Sequence, residues 1–133
     1  MIEKIDHIGV AVKDLEAIVK FYRETLGVRV GEIFTHGEMR GVFVDIGGVE
    51  FELLANANPE SAIAKHIEKK GEGIQHVAFQ VDQIEKEIEN LKGKGISFID
   101  QKPRPGARES RIAFMHPKST YGILMELVQP AKK

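Results

Sequence analysis

The chain has no cysteine. Disulfides and thiolate metal sites are therefore excluded, and any bound metal would meet imidazole nitrogen and oxygen ligands. Tryptophan is absent as well. There is no excess of charge of either sign, since 19 basic residues stand against 20 acidic ones. Such a balance lacks the basic footprint of a nucleic-acid binder, so no nucleic-acid partner is expected. No apolar run is long enough to cross a bilayer, and Met1-Ile2-Glu3-Lys4-Ile5 opens the chain without an apolar targeting region. A cytoplasmic protein with no membrane partner is the expectation.

What the chain does contain is a repeat. His7 lies in Ile5-Asp6-His7-Ile8-Gly9-Val10-Ala11-Val12, and His76 in Ile74-Gln75-His76-Val77-Ala78-Phe79-Gln80-Val81. Downstream of the first comes Val49-Glu50-Phe51-Glu52-Leu53-Leu54, and downstream of the second Ile123-Leu124-Met125-Glu126-Leu127-Val128. A histidine in an early strand and a carboxylate in a later one, twice over, is the signature of duplication and fusion.

The elements between them repeat in order. In the first module, Ile5 to Val12 reads as a strand. Asp14 caps a helix whose apolar face is Leu15, Ile18, Val19, Tyr22 and Leu26, with Gly27 ending it. Val28 to Phe34, Val42 to Ile46 and Val49 to Leu54 read as strands, the last two joined by Gly47-Gly48. A polar linker helix begins at Pro59 or Glu60 and runs to about Lys70. In the second module, Ile74 to Val81 is a strand, and Asp82 with Glu85 caps a helix with Ile84, Ile88 and Leu91 on its apolar face. Ile96 to Ile99, Arg111 to Met115 and Ile123 to Val128 complete the set, and Pro130 to Lys133 read as a frayed tail. The expected fold is α+β: two tandem βαβββ modules, residues 1–56 and 74–130, joined by a linker helix at 59–70. Together they form a single domain over 1–133, with a curved mixed sheet around a metal cleft.

The four matched residues explain one another as ligands. Glu52 and Glu126 sit between apolar neighbours, and His7 and His76 lie in strands rich in apolar residues, where an imidazole or carboxylate needs a partner. Taken singly, a strand histidine is more often a hydrogen-bonded core residue, and a strand glutamate more often solvated. Two His and two Glu at equivalent positions favour one divalent cation held by His7, Glu52, His76 and Glu126. His36, His66 and His116 have no such relation. The first two read as surface residues and His116, before Pro117, as structural.

With its ligand histidine opening each module and its glutamate closing it, the chain resembles the vicinal oxygen chelate superfamily, which includes glyoxalase I. Within that superfamily it is most similar to the methylmalonyl-CoA epimerases, over nearly its whole length. The segments that carry the likeness are Asp6-His7-Ile8-Gly9-Val10-Ala11-Val12, Ala62-Ile63-Ala64-Lys65, Lys70-Gly71-Glu72-Gly73-Ile74, and Ile112-Ala113-Phe114-Met115-His116-Pro117-Lys118-Ser119 with Gly122-Ile123-Leu124-Met125-Glu126-Leu127. The resemblance implies the same four metal ligands. It departs at Glu52, where some epimerases have glutamine, and at Gln75, where typical members have a second histidine. It also departs around Arg40 to Val44, where some carry a catalytic glutamate; Glu38 is the nearest carboxylate here.

The activity this resemblance implies is R/S epimerisation of methylmalonyl-CoA through a metal-stabilised thioester enolate. Glu126 then serves as ligand and base, Glu38 as the second base, and Lys118 and Ser119 as contacts to coenzyme A. Four protein ligands leave two positions of an octahedron, so cobalt, manganese, nickel or magnesium is expected rather than zinc. A homodimer is expected from the superfamily. Two alternatives remain: a glyoxalase I-like lactoylglutathione lyase, and a non-catalytic binder of a small ligand on the same fold.

Overall fold

A computed structural model describes residues 1–132. Among these the chain forms eight β-strands and three α-helices, with short π and 3₁₀ turns. It divides into two compact units, residues 7–75 in one and residues 1–6 with 76–133 in the other. The α+β class and the repeated order of elements are as the sequence indicates.

In the unit of residues 7–75, the strands are β1 (Ile2–Ala11, shared between the units), β2 (Phe34–His36), β3 (Met39–Ile46) and β4 (Val49–Asn56). Their hydrogen-bonded order is β2-β3-β4-β1. β1 runs parallel to β4, with Gly9 opposite Glu52. β3 and β4 form an antiparallel hairpin across Gly47-Gly48, both at positive φ, which is the backbone a two-residue turn of this kind requires. Asp45 Oδ1 accepts the Gly48 N–H at 2.9 Å. Helix α1 (Leu15–Lys20) is capped by Asp14, whose carboxylate accepts the Ala17 N–H. Leu15, Val19 and Tyr22 bury against Val10, Val12, Val42, Val44 and Leu53. Helix α2 (Ala62–Lys70) starts at Ser61, whose hydroxyl accepts the Ala64 N–H. It buries Ile63 against Ala11 and Leu54.

The second unit mirrors this with β5 (Gly73–Val81), β6 (Arg104–Pro105), β7 (Arg111–Met115) and β8 (Met125–Gln129), in the order β5-β8-β7-β6. β5 runs parallel to β8, and β7 antiparallel to it. Helix α3 (Ile84–Gly93) places Ile84 and Ile88 on Val81, Phe98, Ala113, Met115 and Leu127.

Four local expectations are corrected. Phe21–Thr25 is a π turn, and Leu26 N–H reaches back to the Phe21 carbonyl. The extra residue rotates Leu26 out of the apolar stripe, so it is 51% exposed. The strand expected over 28–34 touches β3 at the Val30–Val44 bridge, beside Gly31, whose N–H meets the Phe43 carbonyl at 2.9 Å. Regular pairing starts only at Phe34. Likewise the 96–99 strand is reduced to the Phe98–Met115 bridge. Asp82 does not cap α3: Gln83 is the N-cap residue without a side-chain bond, and Gln129 Oε1 accepts the Ile84 N–H instead.

Candidate functional site

Each unit buries one histidine–glutamate pair, on the sheet face opposite α1 in the first unit and opposite α3 in the second. His7 and Gly9 are two apart on β1 and point the same way. Glu52 is opposite Gly9, which has no side chain, so the carboxylate leans past it toward the imidazole. His7 Nε2 and Glu52 Oε1 lie 3.3 Å apart, and the two residues are 6% and 7% exposed. On the other side of β4, Phe43 is opposite Glu52 and stands its ring edge-on to His7, with centroids 6.2 Å apart at 83°. Phe34 stacks on Phe43 at 5.6 Å and 24°.

The second unit repeats the register. His76 and Ala78 share a face of β5, and Glu126 is opposite Ala78. His76 Nε2 and Glu126 Oε1 lie 3.6 Å apart, with the residues 3% and 4% exposed. Phe114 is opposite Glu126 and stands edge-on to His76, centroids 5.3 Å apart at 82°. A small residue beside the histidine, then the glutamate, then a phenylalanine thus recur on three successive strands.

These separations exceed the ~2.7–2.9 Å of a charge-assisted hydrogen bond. Two atoms each about 2.0–2.2 Å from one cation stand roughly 2.8–3.6 Å apart, between a right angle and a tetrahedral one. Imidazole and carboxylate donors at these spacings therefore fit a divalent metal.

The other residues singled out in the sequence are not part of these two buried pairs. Glu38 is exposed, in the turn between β2 and β3. Lys118 is exposed and Ser119 half-buried in a 3₁₀ turn, Pro117–Ser119. The Ser119 hydroxyl accepts the Ser97 N–H at 2.9 Å. His116 is structural, its Nδ1 accepting the Lys118 N–H at 3.1 Å. His36 is exposed, but His66 is half-buried on α2. Burial, and then the charge of Lys70, lower its pKa. Sequence reasoning missed Phe43 and Phe114. Both read as ordinary core residues, and unequal loops hide their equivalence, nine residues before Glu52 but twelve before Glu126.

Residues 6–114 match the family described as the glyoxalase/bleomycin resistance protein/dioxygenase superfamily. The chain belongs to that superfamily. Among members of the glyoxalase superfamily, it is 37% identical over 130 residues to the mitochondrial methylmalonyl-CoA epimerase of Mus musculus, covering 95% of this chain and 72% of the mouse protein. It is 35% identical over 134 residues to the ethylmalonyl-CoA/methylmalonyl-CoA epimerase of Cereibacter sphaeroides, covering 97% and 99%. A solved methylmalonyl-CoA epimerase in complex with methylmalonyl-CoA and NH4+ superposes with a TM-score of 0.92 at 36% identity, covering 98% of this chain and 96% of that one.

Proposed function

We propose that the protein is an isomerase that epimerises methylmalonyl-CoA at C2, with His7, Glu52, His76 and Glu126 holding one divalent cation. The observation that carries the reading is the repeated buried pair, His7 with Glu52 and His76 with Glu126. Similarity to epimerases over nearly the full chain supports the substrate. Four oxygen and nitrogen ligands favour cobalt, manganese, nickel or magnesium. When bound, the cation would act as a Lewis acid toward the negative charge that develops on the thioester oxygen.

The chain's own groups then move the proton. A carboxylate oxygen of Glu126 takes the proton from C2, and the C–H electron pair passes to the thioester carbonyl. A proton returned to the opposite face inverts the centre, and we assign that step to Glu38. Burial keeps the Glu126 carboxylate away from bulk water, which would compete for its lone pairs. Lys118 meets a coenzyme A phosphate as a point charge, and Ser119 donates its hydroxyl proton. We also infer a cytoplasmic homodimer functioning as one domain over 1–133. Among the described residues no helix is long and apolar enough to cross a membrane.

The test is metal analysis of the purified protein together with proton NMR of C2 exchange in deuterated solvent. Exchange into methylmalonyl-CoA, with no conversion of a glutathione hemithioacetal, is expected. The reverse pattern makes the protein a lyase, and neither activity with no bound metal makes it a binding protein. Light scattering that finds only monomer at micromolar concentration rejects the dimer.

A further inference from the structure

The two units match register for register, and they differ at one telling place. Phe34 on β2 is opposite Gly41, two residues before Phe43, and stacks on the Phe43 ring. Arg104 on β6 is opposite Ile112, two residues before Phe114. Its guanidinium carbon sits 5.6 Å from the centre of the Phe114 ring. The same structural position thus carries an aromatic ring in one unit and a fixed cation in the other. Through Phe114, that cation lies one ring away from His76, whose partner is Glu126.

Several features keep Arg104 available. Its Nε donates to Asp100 Oδ1 at 3.0 Å, which fixes the plane of the guanidinium from one side. The side chain is still 51% exposed. Asp100 is itself held, because its other oxygen accepts the Phe114 N–H at 2.9 Å. A planar cation, oriented from behind and laid on an aromatic face, is preorganised for bidentate capture of an anion.

We propose that Arg104 is an anion clamp that sets the orientation of the substrate. This inference rests on the acyl-CoA reading. The anion is either the free carboxylate of the acyl group or a phosphate of coenzyme A, and both suit a guanidinium.

The variant to make is Arg104→Phe, which copies the arrangement that Phe34 already forms in the other unit and so retains a ring on Phe114. It should fold and raise KM for methylmalonyl-CoA about 10- to 100-fold, with a smaller change in kcat. A rise also seen with methylmalonyl-pantetheine assigns the carboxylate, and a rise confined to the CoA thioester assigns a phosphate. Calorimetric titration of free coenzyme A and of methylmalonate into wild type and variant reads the same loss without turnover. Asp100→Asn is the control: it removes the ion pair that orients the guanidinium but leaves the guanidinium itself, so affinity should fall less than in Arg104→Phe. The clamp is overturned if folded Arg104→Phe binds every ligand as wild type does. It is equally overturned if Asp100→Asn loses as much affinity as Arg104→Phe, or if wild type binds neither free ligand. A wild-type protein that binds but does not exchange the C2 proton overturns the epimerase reading and leaves the clamp standing.

Discussion

Glu52 and Glu126 occupy equivalent registers, opposite Gly9 and Ala78, yet the proposed chemistry gives the proton only to Glu126. Glu126→Gln should retain much of the metal, because an amide oxygen still coordinates, while turnover falls about 10²- to 10⁴-fold. Glu52→Gln should be milder, and His7→Ala or His76→Ala should lose metal outright. Metal content measured beside activity checks the set. An active Glu126→Gln protein with a dead, metal-loaded Glu52→Gln protein would exchange the roles of the two modules. A second expectation concerns Gly41, where an added Cβ would come within 2.4 Å of the Phe34 ring and 3.0 Å of Leu54. Gly41→Ala should destabilise by about 1–3 kcal/mol through overpacking and push Phe34 off Phe43; urea denaturation reads the loss. At this scale the paired histidines and glutamates were legible because polar residues in apolar strands announce themselves. Phe43 and Arg104 were not, since one looked like core and the other like a charged loop residue.

Helices and strands were legible where period and caps agreed. Asp14 caps as its position suggests, whereas the linker helix expected from Pro59 or Glu60 begins at Ala62, with Ser61 as its cap. Replacing either cap by Ala should cost about 1 kcal/mol in a denaturant titration. The entry to α3 was misread because its cap is supplied from 45 residues away, by Gln129. A local sequence window contains no trace of such a bond. Gln129→Leu should therefore cost about as much as a lost N-cap, while Gln83→Asp, which places a local acceptor at the same helix start, should restore most of it. The π turn at Phe21–Thr25 was invisible for a related reason. Apolar spacing predicts an unbroken stripe through Leu26, and only the packing of the chain beyond it decides that one residue is looped out.

For the whole molecule, the duplication was legible, but the way the chain is partitioned was not, because β1 reads as one strand while its residues fall to two units. A cation bound at about a thousand times its dissociation constant adds roughly 4 kcal/mol to stability. Chelation should then lower Tm by on the order of 10 °C, and calorimetry with and without chelator measures it. An unchanged Tm would remove the metal from the proposal. The division of β1 also governs how the chain is made. Residues 7–75 are contiguous, so all the partners within that unit are present once residue 75 has been made. Residues 1–6 cannot be satisfied so early: Met1 pairs with Glu87, and Glu3 accepts a hydrogen bond from Gln80. At the usual pace of translation they wait on the order of 4–15 s for these partners to be made. During that interval Ile2 and Ile5 lie on an unpaired strand edge, open to neighbouring nascent chains. Glu3 and Lys4 between those two side chains, and Asp6 just after them, are placed to keep the waiting segment from aggregating.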